Sequence, residues 1–111
     1  MASFRQLEDL PLHQAFPGIG FRYVHGERAT FSVFELDPNA ELPTHSHHNE
    51  QIGMLIRGSV TFRTDQGETE VGPGQIWVIP GGEEHGGIAG PEGATVLEVF
   101  APPRADWPQP A

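Results

Sequence analysis

Three of the six histidines fall in one window, Thr44-His45-Ser46-His47-His48-Asn49-Glu50-Gln51, and a fourth, His85, follows the bend Pro80-Gly81-Gly82. Residues two apart on a strand project to the same side. The spacing therefore sets His45 and His47 on one face, with Ser46 and His48 on the other. Two imidazoles on one face are what a metal ion needs from a short stretch of chain. Gln51 brings its amide oxygen to that side if the chain bends near Asn49-Glu50, which turns Glu50 away. The Pro-Gly-Gly bend gives the backbone the freedom to aim His85 inward. Three imidazoles and one oxygen donor leave open positions on a divalent transition metal such as Zn, Ni, Fe or Mn, the arrangement of a catalytic rather than a structural site.

Gln51 sets the electrostatics of such an ion. A carboxylate would lower the formal charge of a bound divalent ion from +2 to +1, whereas an amide oxygen leaves it at +2. The ion is then a stronger Lewis acid and a better anchor for an anionic ligand, and it is held less tightly. A second chemical segment is Ala94-Thr95-Val96-Leu97-Glu98-Val99-Phe100, followed by Arg104. Alternation places Val96, Glu98 and Phe100 on one face and Leu97 and Val99 on the other. Whether that first face lines a cavity, or leaves Glu98 exposed with Arg104 a solvated charge, stays open on alternation alone. His48 is read as exposed or supporting, and His13 and His25 have no spacing that recruits them.

The composition removes many other chemistries. The 111 residues contain no Cys and no Lys; the six cations are Arg5, Arg22, Arg28, Arg57, Arg63 and Arg104. Thiolate metal sites, disulfides, thiol nucleophiles and Schiff-base lysines are excluded. The net charge of −9 repels phosphate backbones and anionic lipid, so neither nucleic acid nor membrane is an expected partner. No apolar run approaches the roughly 18 residues of a membrane span, and the start lacks the uninterrupted apolar stretch of a signal peptide. A cytoplasmic protein is expected.

The elements that must position these residues are short strands. The 14 Gly and 11 Pro are scattered singly and in turn-like pairs between β-branched and aromatic stretches. Strands are expected near 20–25, 29–36, 44–48, 51–57, 59–64, 68–71, 75–79, 85–88 and 94–100. Asn39, Asp65-Gln66-Gly67 and Pro73-Gly74 supply turns. Residues 1–18, broken by Pro11 and Pro17, read as a surface arm, and 19–111 as a single domain. Trp77-Val78-Ile79 and Met54-Leu55-Ile56 read as core, with Met54 and Phe62 as alternative pocket-lining residues. An all-β sandwich or barrel follows.

Two of these segments carry a resemblance. The spacing His45-x-His47-x3-Gln51-x6-Gly58 resembles the first motif of the cupin superfamily, with Gln51 where Glu is usual. The spacing Gly74-x5-Pro80-x-Gly82-x2-His85 resembles the second, with Ala89 where its terminal Asn would stand. The resemblance implies a double-stranded β-helix, or jelly-roll barrel, with His45, His47, Gln51 and His85 as ligands of one divalent transition metal, and a homodimer. The stretch His45–Gly53 with the ending Glu98-Val99-Phe100-Ala101-Pro102-Pro103-Arg104 is further similar to the small cupins of pectin and alginate breakdown, the KdgF type. These linearise 4,5-unsaturated uronates to keto acids by an isomerase- or lyase-type ring opening. Carried over by position, Glu98 is the acid, where that type usually has Asp, Phe100 the aromatic and Arg104 the carboxylate-binding cation. The implied partner is a small anionic, carbohydrate-derived substrate. Its repulsion by the net charge is screened over about 8 Å at physiological salt. Two other functions share the same motifs: an iron- or nickel-dependent cupin dioxygenase, and a non-enzymatic small-ligand-binding cupin.

Overall fold

The computed structural model describes residues 1–107, so the last four residues of the expected 19–111 domain lie outside the described part. Eight strands follow a 3-10 turn at Leu7–Asp9: β1 (His13–Phe16), β2 (Ile19–His25), β3 (Thr30–Leu36), β4 (Glu41–His45), β5 (Glu50–Thr64), β6 (Gly67–Val71), β7 (Ile76–Ile79) and β8 (His85–Ala101). All recorded pairings are antiparallel. No helix among the described residues is long and apolar enough to cross a membrane.

Two long strands make the architecture. The first half of β5 pairs with the second half of β8 and with β7, and its second half pairs with the first half of β8 and with β6. β8 pairs with β4 through its first half and with β3 through its second. Both strands thus pass through two layers, β1-β2-β3-β8-β5-β7 and β4-β8-β5-β6, which is the jelly-roll barrel the resemblance implied. The expectation of separate strands at 51–57 and 59–64, and at 85–88 and 94–100, is corrected. The ladder does not stop at the corners. It shifts register at Gly58, whose φ of +81° is open to a residue without Cβ, and Gly93 opposite has φ +76°. A Cβ on Gly58 would drive into the Gly93 carbonyl.

The arm-like residues also hold more structure than their proline-broken sequence indicates. Four of them, His13–Phe16, form β1 because β2 offers its edge as a template. The turns expected at Asn39, Gly67 and Gly74 are found, with left-handed backbone at φ +62°, +97° and +85°.

Alternation sorts the faces. Ile19, Phe21 and Tyr23 of β2, Leu55 of β5 and Val96 and Phe100 of β8 point inward and are buried. Each such side chain contributes about 1.5–3 kcal/mol relative to exposure. Leu55, Val60, Phe62, Val71, Ala94 and Val96 form one cluster, with Trp77 packed against it. The expectation that the whole of Met54-Leu55-Ile56 and Trp77-Val78-Ile79 is core is corrected: Ile56 is 43% and Val78 59% exposed, because the sheet has a solvent face and period 2 sends alternate residues to it.

Candidate metal centre

The barrel encloses a cavity of about 370 Å³ into which His45, His47, Gln51, His85, Glu98, Phe100 and Arg104 all project. Every site residue singled out in the sequence is brought together here. β4 ends at His45, which pairs across the ladder with His85, the first residue of β8. The expectation that His45 and His47 share a regular strand through residue 48 is corrected, since 46–49 is a bend between β4 and β5. That bend is latched from the other motif. The Gly82 N–H donates to the His47 carbonyl at 2.8 Å. Gly81 lies so close to the His48 carbonyl that a Cβ there would collide with it. His48 and Glu50 point to solvent.

The three imidazoles are oriented alike. His45 Nδ1 donates to the Pro43 carbonyl at 2.9 Å, His47 Nδ1 to the Asn49 carbonyl at 3.1 Å and His85 Nδ1 to the Glu83 carbonyl at 2.9 Å. A proton fixed on Nδ1 leaves the Nε2 lone pair as the available ligand. The candidate ligand atoms lie within 4.8 Å of one another, so the triad could hold a metal ion. His85 Nε2 is buried with no hydrogen-bond partner, a cost that an ion at the centre of the triad would remove. Burial depresses His85 to about 4 and also lowers His47, with Arg104 adding to the effect on each; both rings are therefore neutral near pH 7 and able to ligate.

Gln51 and Glu98 form one unit. Gln51 is 4% and Glu98 8% exposed. The Gln51 Nε2 donates to Glu98 Oε2, which directs the amide Oε1 to His47 Nε2 at 3.1 Å, on the side of the imidazole cluster. The same Glu98 Oε2 accepts from Trp77 Nε1 at 2.9 Å. Burial pushes the Glu98 carboxyl up to about 7, against the opposing pull of Trp77, Gln51 and Arg104. Alternation had left Glu98 open between cavity and solvent; the structure puts it in the cavity wall.

Arg104 lies 4.9 Å from the centre of the Phe100 ring and 4.3 Å from that of Trp107, a cation against two aromatic faces. Its Nε and Nη2 donate to the two Asp106 oxygens at 3.0 and 2.8 Å. Of the five guanidinium N–H groups, the Nη1 pair and the second Nη2 hydrogen remain for a ligand. The Arg104 segment is pinned by Asn49, whose buried amide donates to the Pro102 carbonyl at 2.6 Å, and by Thr30, whose hydroxyl accepts from the Arg104 N–H at 3.0 Å. Phe62 lines the cavity, and Met54 lies on the opposite face of β5, across from Leu97 and Ile76.

Sequence reasoning missed four contributors: Trp77, Asn49, Asp106 and the apolar wall of Phe16, Phe21, Phe34, Leu42 and Trp107. Only Asn49 carried a usable signal, a polar residue two before Gln51 at the point where the chain had to bend.

The cupin domain family matches residues 32–100, and the chain belongs to it. Over 69 residues the chain is 33% identical to the dimethylsulfoniopropionate lyase DddW of Ruegeria pomeroyi, a match that covers 62% of this chain and 45% of that protein, less than half its length. Among solved structures, KdgF from Halomonas sp. superposes with a TM-score of 0.87 at 24% identity, covering 96% of this chain and 98% of that one, which is a likeness of fold. The polyketide cyclase RemF from Streptomyces resistomycificus superposes with a TM-score of 0.78 at 30% identity, covering 91% of this chain and 80% of that one.

Proposed function

We propose that this chain is a metal-dependent proton-transfer enzyme, and that it linearises a 4,5-unsaturated uronate to a keto acid. The observation that carries the reading is the shared Gln51 side chain: its oxygen faces the imidazole triad while its nitrogen holds Glu98, a carboxyl poised near neutrality. A proton-moving group thereby sits one side chain away from a Lewis-acid site. His45, His47, His85 and Gln51 would hold the ion, whose chemistry is to polarise a ligand oxygen. The fold likeness to KdgF supports the choice of substrate.

The residues divide the work as follows. Arg104 presents its free N–H edge to the substrate carboxylate, as a planar fork suited to two oxygens. Phe100 and Trp107 hold the guanidinium flat and leave it little freedom to follow the ligand out. Ring opening is an isomerisation: the anomeric hydroxyl loses its proton, the bond from C1 to the ring oxygen breaks, C1 becomes an aldehyde and C5 an enolate. C4 then takes a proton as C5 becomes a ketone. Glu98 accepts the first proton and returns one to carbon, so no other reactant is consumed. A carboxyl with a pKa near the working pH suits both directions.

One observation favours a second substrate. The far wall is made of Phe16, Ile19, Phe21, Phe34, Leu36 and Leu42, which offers few partners to sugar hydroxyls and suits a flat apolar ring bearing an acidic oxygen. The resemblance to RemF, a polyketide cyclase, points the same way. The deciding experiment follows the ultraviolet absorbance of the conjugated alkene of a 4,5-unsaturated uronate with metal-loaded and chelator-stripped protein. Metal-dependent loss well above the spontaneous rate is expected. No acceleration would refute the uronate reading and send the search to aromatic substrates.

A further inference from the structure

Trp77 stands behind the cavity wall and is not part of the cavity lining. Its indole nevertheless reaches the buried acid. The reason lies in the sheet register: Trp77 of β7 pairs with Gly53 of β5, and Gly53 pairs with Glu98 of β8. Trp77, Gly53 and Glu98 therefore form one row across three strands on the inner face, and the middle member has no side chain. A Cβ on Gly53 would lie 2.6 Å from the indole Cε2 and 2.7 Å from Cζ2, closer than real Cβ contacts. The missing Cβ is the passage through which the indole crosses β5. On the far side, Phe62 packs against the same ring, with centroids 4.8 Å apart. Ser32, the next member of the row, bonds the Glu98 backbone carbonyl at 2.9 Å and holds the strand beneath the acid.

We infer that Trp77, laid across Gly53, is a positioning residue that sets which oxygen of Glu98 meets the ligand. Glu98 Oε2 is occupied twice, by Trp77 Nε1 and Gln51 Nε2. Among the described residues Oε1 carries no hydrogen bond, and it belongs to a side chain that lines the cavity. With Oε2 held from behind, rotation of the carboxyl is blocked and Oε1 is the oxygen presented for proton exchange. Without the indole donor, Gln51 alone holds the carboxyl, and the group turns about its last bond. The inference rests on the proton-transfer reading of Glu98. It adds that the acid's geometry is imposed from a third strand through Gly53, a glycine that is not among the candidate metal-ligand positions of either motif.

The test has two arms. The chain has two tryptophans, so the indole region of a proton–nitrogen correlation spectrum of the zinc-loaded protein holds two Nε1–H signals, assigned with Trp107→Phe. The Trp77 signal is expected to exchange slowly with solvent, to lose that protection in Glu98→Ala and Gly53→Ala, and to keep it in Glu98→Gln, which retains an acceptor. An unprotected Trp77 signal, or one indifferent to Glu98→Ala, overturns the inference. In the second arm, turnover of a 4,5-unsaturated uronate is compared in Trp77→Phe, Gly53→Ala and the double variant. A fall in kcat of roughly 10–100-fold, the range for loss of a group that orients a site residue, is expected with KM little changed. The double variant should be no worse than either single one, because all three break the same contact. Trp77→Phe with wild-type kcat overturns the inference. Failure of the wild type to turn over any uronate would sink the uronate reading alone, since the exchange arm decides the Trp77–Glu98 contact without substrate.

Discussion

Replacing Glu98 by Gln should change how stability depends on pH, by an amount and in a direction that the structure fixes. Burial raises the carboxyl from its ordinary 4.5 to about 7 in the folded chain. Between those values the native protein keeps a proton that the unfolded chain has released, so folding stability falls as pH rises through the interval. The slope is at most about 1.4 kcal/mol per pH unit, and the whole interval amounts to about 3 kcal/mol. The amide introduced by Glu98→Gln has the shape of the protonated acid, still offers Trp77 an acceptor and does not titrate. The unfolding free energy of the variant minus that of the wild type should therefore rise by about 3 kcal/mol between pH 4.5 and 8.

The assay is urea unfolding across that range with chelator present throughout, so that release of metal by protonated histidine does not enter. His85 supplies an internal check. Burial lowers it from 6.5 to about 4, so the native state refuses a proton the unfolded chain accepts, and stability is lost as pH falls through that window. In the wild type the Glu98 slope opposes that of His85 between pH 4.5 and 6.5, and in Glu98→Gln the slope of His85, with the like-signed one of the lowered His47, should remain without it. Parallel stability curves for the two proteins would refute the burial argument for Glu98.

Three further outcomes follow from the same geometry. His85→Ala should abolish stoichiometric binding of a divalent metal in a calorimetric titration, because it removes the most buried imidazole of the triad, while the chain stays folded by circular dichroism. Arg104→Ala should raise KM for an anionic ligand by about 10–100-fold, the equivalent of one charged hydrogen bond of about 1.5–3 kcal/mol, and leave kcat within a few-fold. Asn49→Ala should cost about 1–3 kcal/mol in urea unfolding, since it leaves the Pro102 carbonyl without its amide donor, and it should raise KM by loosening the segment that carries Arg104.

The site was legible where chemistry and spacing coincide, and illegible where it depends on strand pairing. His45, His47, Gln51 and His85 could be read as candidate ligands because ligand residues of a metal must be of few types and must recur at spacings a bend can close. Glu98, Phe100 and Arg104 could be named from a resemblance, but alternation alone did not say which face of β8 is inside. That fact is settled by β3 and β5, whose inward residues Phe34 and Leu55 lie beside Val96 in the ladder. Trp77 and Gly53 are far apart in the chain and meet only through the β5–β7 register, so nothing local marks them as partners. The two long strands were cut in half by the same limitation. A glycine in a strand pattern reads as an ending, and only the continued pairing on both sides of Gly58 and Gly93 shows that it is a corner.

The amide at position 51 is best understood from the acid beside it. The side chain at this place does two things: it gives an oxygen toward the imidazole cluster and meets the Glu98 carboxyl at hydrogen-bond distance. An amide does both, with an acceptor on one end and a donor on the other. A carboxylate in its place would set two buried carboxyls against each other, and one of them would have to hold a proton for the contact to survive. Either the ligand would lose its charge or Glu98 would be locked as the proton carrier and lose the ability to give its proton up. In the proposed mechanism Gln51 would leave the proton on Glu98 free to come and go, at the cost of a ligand set that would neutralise less of the ion's charge. The departure from the usual cupin motif at Gln51 and the buried acid at Glu98 are thus one arrangement, in which, on the proposed mechanism, a weaker hold on the metal and a mobile proton would have the same cause.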